Sequence, residues 1–577
     1  MSEKIEEPQH QIADSEQIVA PVEDHVEDPE FGPEPTPEEW ESLREVADNI
    51  PLSAFLVILI EFCERFTYYG LSGPFQNYIQ NPPPPSYPAD QPGALGRGQQ
   101  TATALNTFFQ FWGYVTPILG GIIADQYLGK YRTILIFGII YAVGLLILTL
   151  TSIPSAIDSG ASFPGFVVAL VIIGLGMGGI KSNVSPLVAE QYRSKVPFVR
   201  TLKSGERVIV TPRATYQKIF NMFYWGINVG GMSSVATTEL EKQVGFWAAY
   251  LLPTAMFIPA LLVVVLGRKR YIENPARGSI FIEVARLTRL SWKVQGGLDA
   301  CKPSRLEVEN PELMKNVTWD DVFVDELRRT FKACVVFCWY PIWWLAYSQM
   351  TSNLVSQAAE MWTGNVPNDI IQNIDPFVLI ITIPIMDRVV YPTLRRYGYP
   401  MKPIFRITLG FLFGSAAMAY AAGVQSMIYK SPPYYEGVGE AGAGNWISAG
   451  IQIPAYAFIA LSEIFASITG LEYAYKKAPE SMKSLVMALF LFTVCLSSVL
   501  QFALVSVAVD PKIEWMYVGI AVATFICAPL FWFCHHKQDD TDIEDDGIVR
   551  RGEVEDAYQA HKPTIAEYEK DVKHEDA

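Results

Sequence analysis

Apolar residues gather along the chain in runs of about 20, the length that a helix needs to cross the hydrocarbon of a bilayer. The strong runs are 52–60 with 66–75, 134–153, 165–180, 246–266, 376–391 and 514–533. Weaker runs, interrupted by glycine and proline, are 101–123, 216–236, 331–356, 403–424, 450–474 and 482–508. The pattern therefore predicts an all-α membrane protein with twelve transmembrane helices.

Composition separates these spans from two acidic ends. Half of the 577 residues are apolar, which excludes an ordinary pair of globular domains. The first 48 residues contain 16 acidic and 2 basic residues, and residues 537–577 contain 14 and 6. We interpret 1–48 and 537–577 as disordered cytoplasmic tails, and we expect no removable signal peptide. Between them lie two predicted six-helix bundles, 49–266 and 331–536, and a cytoplasmic linker, 267–330.

Basic residues set the predicted orientation. If both ends lie on one side, the loops on the far side contain only Arg97, Lys242, Lys430 and Lys512, whereas the near-side loops are rich in lysine and arginine. Positively charged loops stay in the cytoplasm, so both termini are predicted to be cytoplasmic. The seven cysteines lie in or beside spans or in the linker, which leaves the outer loops without a predicted disulfide.

The linker and the loops suggest two related halves. An amphipathic stretch, Ser279 to Lys293, is predicted either to lie flat on the inner membrane face or to form a solvated linker helix. Asp125 precedes basic residues after the second span, and Asp387 does so after the eighth. Parallel halves with this placement are typical of the major facilitator fold, with twelve helices in two six-helix bundles.

Five ionisable residues fall near the middle of predicted spans: Glu61, Glu64, Arg65, Lys181 and Glu463. An isolated charge at that depth costs about 2.5–3.5 kcal/mol, so we expect these groups to face water or one another. Arg65 and Lys181 form a positive pole suited to a carboxylate, and Glu463 on the other half forms a negative pole suited to an ammonium group. This arrangement indicates a zwitterion such as an amino acid or short peptide.

Proton coupling is predicted to use a carboxylate, because all six histidines lie outside the spans. Glu61 or Glu64, beside Arg65 and Lys181, is the natural candidate. Our hypothesis is that a proton from outside neutralises one of these acids, loosens its salt bridge and frees the basic group for the substrate carboxylate.

Three stretches carry a family resemblance. The run from Glu61 to Gly70, with Glu64, Arg65, Phe66, Tyr68 and Tyr69, resembles the signature of the proton-dependent oligopeptide transporter family, a branch of the major facilitator superfamily. Residues 120–134 and 220–232 are similar to two further motifs of that family, and residues 205–212 and 338–349 look most like its fungal members. The resemblance runs from about residue 48 to 536.

The resemblance implies roles for matching positions. It assigns Arg65, Tyr69, Lys181 and Asn228 to the carboxyl side and backbone of the peptide. It assigns Glu463 and Ser467 to the amino end of the peptide, and Tyr114, Trp344 and Phe490 to its side-chain pockets. Asp125 and Gln349 are expected to serve gating or structure. The resemblance also implies that the protein lies in the plasma membrane.

Some positions depart from the family pattern. Ser348 replaces an acid of the seventh helix, and Thr107 replaces a histidine of mammalian relatives. Asp375 stands where asparagine is common, and we expect it near the amino-end pole or at the outer mouth. These departures predict that coupling depends more on the first helix.

Other functions are open at this stage. A nitrate or other small-anion transporter would use Arg65 and Lys181 but leave Glu463 without a task. A membrane-bound peptide sensor or a channel is the alternative from another class. An enzyme is disfavoured, because the sequence has no metal-ligand cluster, nucleophile elbow or phosphate loop. We therefore expect peptide, protons and membrane lipid as partners of a monomer, without cofactor, metal or nucleic acid.

Overall fold

The computed structural model describes residues 32–194, 196–202, 205–273, 280–294, 296–364, 366–397, 401–435, 444–477, 479 and 482–537. They divide into two compact units. One contains the residues up to Ile50 together with Tyr192–Lys218, and the other contains Pro51–Gln191 with the residues from Ile219 onward. The first unit contains helix α1 (Pro37–Ser42) and strands β1 (Glu45–Val46), β2 (Phe198–Thr201) and β3 (Arg207–Val210).

The rest of the described chain is almost entirely helical. The helices before the linker are α2 (Leu52–Ser72), α3 (Phe75–Gln80), α4 (Gly98–Ile123), α5 (Lys130–Thr151), α6 (Pro154–Asp158), α7 (Ser162–Lys181), α8 (Val184–Glu190), α9 (Pro212–Gly231), α10 (Ser233–Gln243) and α11 (Phe246–Leu266). The linker and the start of the seventh predicted span contain α12 (Ile280–Ser291), α13 (Pro303–Glu309) and α14 (Asp321–Cys334).

The second half continues with shorter, more often interrupted helices. They are α15 (Tyr340–Tyr347), α16 (Asn353–Ala359), α17 (Ile374–Ile385), α18 (Tyr391–Arg396), α19 (Pro403–Tyr429), α20 (Ile453–Glu463), α21 (Thr469–Lys477), α22 (Lys483–Leu504) and α23 (Ile513–His535). Two short strands, β4 (Met361–Trp362) and β5 (Asn445–Ser448), pair in parallel.

Nine helical segments of the described chain are long and apolar enough to cross a membrane, so the predicted number of twelve is not confirmed by this measure. The three predicted spans that are not among these nine segments, 52–75, 216–236 and 331–356, are too polar or too interrupted. Helix α2 carries Glu61, Glu64 and Arg65 within 21 residues. The segment α9–α10 is polar, and residues 331–356 are divided by two 3₁₀ turns.

Helices of each half pack mainly on one another. In the first half, α7 packs along α5 and against α4, and α2 packs against α11. In the second half, α19 packs along α23 and against α20. Contact between α4 and α22 joins the two halves. The division into two six-helix bundles stays a prediction.

The first unit differs from the predicted tail. Residues 32–48, which their composition places in a disordered segment, contain α1 and β1, and β1 pairs in parallel with β3. Thr36 caps α1, because its hydroxyl accepts from the Glu39 N–H and the Glu39 carboxylate accepts from the Thr36 N–H. Local hydrogen bonds therefore order a segment that charge composition alone would leave solvated. Residues 1–31 and 538–577 lie outside the described residues.

Helix α12 covers most of the amphipathic stretch for which two positions are predicted. Its residues Val284 and Leu287 are buried in a cluster with Trp319, Leu327 and Leu485. Val284 and Leu287 are thus covered by other parts of the protein, which disagrees with the solvated linker helix, whereas a position on the inner membrane face stays a prediction. Ser279, the first residue of that stretch, lies outside the described residues.

Candidate functional site

Three ionisable side chains of α2 form the first part of the site. Glu61, Glu64 and Arg65 lie three and four residues apart and therefore share one side of the helix. The Arg65 Nε lies 3.1 Å from Glu61 Oε1, and its Nη2 lies 2.5 Å from Glu64 Oε2. All three side chains are buried. Two acids and one guanidinium leave one excess negative charge, which a further cation can balance.

Lys181, at the end of α7, supplies that cation. Its Nζ lies 3.8 Å from the centre of the Tyr114 ring. It also interacts electrostatically with Arg65, Glu64 and Glu61. The four ionisable groups form one cluster whose formal charges cancel when all are ionised, so protonation of either acid would leave a cation free to bind an anion.

Glycines bring Lys181 to this position. A Cβ added at Gly178 would lie 2.5 Å from Thr116 of α4, and one at Gly179 would lie 2.1 Å from the Phe137 ring of α5. No larger residue fits at either position without displacing a neighbouring helix. The glycine run of α7, Gly174 to Gly179, thus serves close helix packing and holds the end of α7 against α4 and α5.

The predicted pocket aromatics lie together. Tyr114 packs against the apolar cluster of the second half that contains Trp344 and Phe490. The ring centres of Trp344 and Phe490 are 5.8 Å apart, and the Trp344 Nε1–H donates to Thr493 Oγ1 at 3.0 Å. The cluster is built by residues from both halves, which provides an aromatic wall for apolar side chains of variable size.

Glu463 and Asp375 form an acidic group on the second half. Glu463 is the last residue of α20, and the π-helical turn Ile464–Ile468, which contains Ser467, follows it. Asp375, 4% exposed, interacts electrostatically with Glu463, and Tyr347 also interacts with Glu463. Of the two predicted locations for Asp375, the structure gives the one beside the amino-end pole.

Tyr69 lies within electrostatic range of both the basic group of the first half and the acidic group of the second. It interacts electrostatically with Arg65 and Tyr114 of the first half and with Glu463 of the second. Yet 39% of its surface is exposed. Tyr69 is thus an accessible side chain within electrostatic range of charged groups from both halves.

Other predicted residues lie elsewhere or have local partners. The Asn228 Nδ2 donates to Tyr224 O of its own helix at 2.8 Å. Asp125 lies in a π-helical turn near the ion pair of Lys130 and Glu190. Gln349 is fully buried, and its Nε2 donates to Leu345 O and to Gln501 Oε1. Ser348 and Thr107 are buried and donate to carbonyl groups of their own helices.

Sequence reasoning missed two tyrosines near Glu463. Tyr347 and Tyr224, the latter 59% exposed, both interact electrostatically with Glu463. A signal was present for Tyr347, which directly precedes the polar stretch of the seventh predicted span. Tyr224 gave no signal, because an aromatic residue on a membrane helix is usually explained by packing.

Hydrogen bonds between the halves lie at the predicted outer end. Gln76 donates to Ser356 at 2.8 Å, Thr103 to Asn353 at 2.9 Å and Ser234 to Asn373 at 2.6 Å; in each bond, the donor belongs to the first half and the acceptor to the second. The ends of the two halves that are predicted to lie outside are therefore in contact with each other.

Comparison with known proteins identifies related chains. The sequence model that describes the POT family (PTR2) matches residues 131–520 of this chain. The probable peptide transporter ptr2 of Schizosaccharomyces pombe is 50% identical over 512 residues, which cover 89% of this chain and 82% of the relative. The peptide transporter PTR2 of Saccharomyces cerevisiae is 47% identical over 511 residues, with 88% and 83% covered.

Solved structures resemble the fold. The crystal structure of the POT family transporter PepTSo has a TM-score of 0.68 at 24% identity and covers 86% of this chain and 99% of its own. A POT family transporter in complex with 5-aminolevulinic acid has a TM-score of 0.62 at 18% identity, with 85% and 97% covered. These similarities confirm the predicted major facilitator fold.

Proposed function

Because the chain belongs to the POT family of proton-dependent oligopeptide transporters, we propose that it imports di- and tripeptides together with protons by alternating access. The observation that carries the proposal is that Tyr69 is exposed and interacts electrostatically with Arg65 of the first half and with Glu463 of the second. In the proposal, Arg65 and Lys181 face a shared cavity from the first half, and Glu463 and Asp375 face it from the second. A peptide has a carboxylate and an ammonium group several ångströms apart, which matches one pole on each half.

In this proposal, the substrate contacts follow the charges and the aromatic wall. Arg65 and Lys181, with Tyr69 and Asn228, bind the carboxylate and backbone, while Glu463 and Asp375, with Ser467, bind the ammonium group. The pocket of Tyr114, Trp344 and Phe490 accepts peptide side chains. Aromatic surface discriminates weakly between apolar groups, so the pocket fits substrates of variable sequence.

Protons couple to transport through the cluster of α2 and α7. A proton from outside binds Glu61 or Glu64 and weakens the ion pair with Arg65. One cation of the balanced cluster then lacks its partner and binds the peptide carboxylate. Release of peptide on the inner side restores the ion pair, and the proton leaves to the cytoplasm.

The same proposal covers localisation and assembly. The protein is a multi-pass membrane transporter, and we propose the plasma membrane with both termini in the cytoplasm. The loop charges support this orientation. The working unit is a monomer, because one chain supplies both halves of the cavity. In this proposal, Asp125 and Gln349 do not contact the peptide. Asp125 stabilises the helix end after α4, and Gln349 stabilises the packing of the second half.

Anion transport is the alternative within the family. It would need Arg65 and Lys181 but would leave Glu463 and Asp375 as acids facing an anion, which repels the cargo. Competition decides between the two: excess nitrate should leave labelled dialanine uptake unchanged if peptide is the substrate. A peptide sensor would bind dialanine without accumulating it.

The experiment uses purified protein in liposomes with an imposed pH gradient and labelled dialanine. We expect accumulation driven by an acidic outside, and its absence would exclude the proposal. Glu61→Gln should abolish proton-driven accumulation while counterflow of peptide persists. Uptake by this variant at the wild-type ratio of protons to peptide would exclude the role given to Glu61.

A further inference from the structure

A second group of buried charges lies at the outer end of the two halves, away from the peptide cavity. Glu241 and Lys242 lie in the last turn of α10, and Asp369 lies in the 3₁₀ turn Asn368–Asn373 before α17. Their exposed fractions are 0%, 5% and 0%. Lys242, predicted to lie in an outer loop, is therefore inside the protein because α10 extends beyond the predicted span.

Two asparagines bring the acids of opposite halves together. The Asn77 Nδ2 donates to Glu241 Oε1 and to Asn368 Oδ1, both at 2.8 Å. The Asn368 Nδ2 donates in return to Asn77 Oδ1 at 3.0 Å. This pairing leaves the carboxyl groups of Glu241 and Asp369 within hydrogen-bonding reach of each other. The contact is thus part of the closed outer interface.

The donors around this pair are too few for two carboxylates. Glu241 Oε2 and both carboxyl oxygens of Asp369 receive no hydrogen bond from a donor in the described part of the chain. Two buried like charges in contact repel strongly, whereas a carboxylic acid donates to a neighbouring carboxylate. The closed geometry therefore suits one shared proton.

The balance of buried charges also indicates one shared proton for the pair of Glu241 and Asp369. Lys242 is the buried cation that interacts with Asp369, so two ionised acids and this lysine carry one excess negative charge. The other titratable groups that face the pair are Glu239, Tyr87, Tyr250 and Tyr456. The tyrosines are neutral near pH 7, and Glu239 is exposed to solvent. One added proton makes the buried group neutral.

We propose that Glu241 and Asp369 form a proton-binding site that must be occupied for the outer side to close. A proton from the outer solution binds one carboxylate, and the resulting O–H donates to the other. When the halves separate, the same proton returns to the outer solution, so it does not add to the transported protons. The consequence for transport rests on the proposed function. The outer side closes readily only when the outer solution is acidic, which is also the condition under which protons are available for uptake.

The test measures outer closure without peptide. Spin labels at Ser159→Cys and Lys430→Cys, exposed positions on the first and second halves, report the distance between the outer ends in the full chain. Exposed Cys338 and Cys534 are replaced by serine. Since one proton binds the closed state, the ratio of open to closed molecules should rise about tenfold for each pH unit above the transition.

Variants separate this site from a general pH effect. Asp369→Asn and Glu241→Gln each leave one acid opposite Lys242, so the ratio should no longer depend on pH. Lys242→Gln should raise the slope above that of wild type, because two protons are then needed for neutrality. The matched control is Glu360→Gln, a buried acid whose partner Gln425 lies in its own half, and it should keep the wild-type slope.

These measurements test the proton-binding site independently of the proposed peptide transport. A wild-type distance that does not change between pH 5 and pH 9, or the wild-type slope in both Asp369→Asn and Glu241→Gln, would overturn it. A loss of the slope in Glu360→Gln would also overturn it. Failure of dialanine uptake with the slope intact would overturn the proposed function alone.

Discussion

The Nζ of Lys181 lies 3.8 Å from the centre of the Tyr114 ring, so the cation of the first half lies over an aromatic ring that also packs against the cluster containing Trp344 and Phe490. A cation–π contact in a desolvated site contributes about 2 kcal/mol. We expect Tyr114→Leu to raise the KM for dialanine by about 10- to 30-fold. Tyr114→Phe keeps the ring and should stay within about threefold of wild type. Equal KM values for Tyr114→Leu and wild type would contradict a role for the ring.

The acidic pole predicts recognition of the amino end of the peptide. Glu463→Gln removes a charge from the pair with Asp375, and charge-assisted hydrogen bonds contribute about 1.5–3 kcal/mol. We expect this variant to bind dialanine about 10- to 100-fold more weakly in competition assays. N-acetyl-dialanine, which lacks the ammonium group, should bind the variant as it binds wild type. An equal loss for both ligands would show that Glu463 does not recognise the ammonium group.

The first-helix charges and the glycine run could be predicted from sequence, because their cause is local. A charge three or four residues from another on a helix must share its side, as Glu61 and Arg65 do. Consecutive glycines in an apolar helix predict close packing whatever the neighbour is. The depth of the charged positions follows from counting residues along each span, so the presence of acidic and basic groups at a similar depth could be predicted as well.

Long-range contacts and short elements could not be predicted. Glu241 and Asp369 meet through tertiary packing of positions more than a hundred residues apart, and no local pattern relates them. Strand β1 has two residues, too short for a periodic signal. Its order depends on pairing with β3, whereas the surrounding composition favours disorder.

The first unit predicts a pH-dependent order of the N-terminal segment. The hydrogen bond from the Thr36 N–H and the nearby Arg207 guanidinium hold the pKa of Glu39 below its usual value. Its stabilising effect is therefore complete above about pH 4.5 and is lost as the pH falls through the lowered pKa. Hydrogen exchange of the amides of 36–46, corrected for intrinsic rates, should accelerate below that pH.

Two variants check the origin of that change. Glu39→Gln should accelerate exchange of the segment already at pH 7, because it removes the ion pair with Arg207. Glu38→Gln, a neighbouring exposed acid without this ion pair among the described contacts, should leave exchange at pH 7 as in wild type. Equal exchange in all three proteins would contradict the assignment to Glu39.

The glycine run predicts a stability difference between two conservative changes. A methyl group at Gly179 would lie 2.1 Å from the Phe137 ring, whereas one at Gly423 of α19 meets no atom within 4 Å. We expect Gly179→Ala to destabilise the protein by about 1–3 kcal/mol, because α5 or α7 must move. Gly423→Ala should be neutral or stabilising by about 0.5–1 kcal/mol, since alanine restricts the unfolded chain. Thermal unfolding in detergent compares them, and an equal Tm for both variants would mean that α7 is not tightly packed at Gly179.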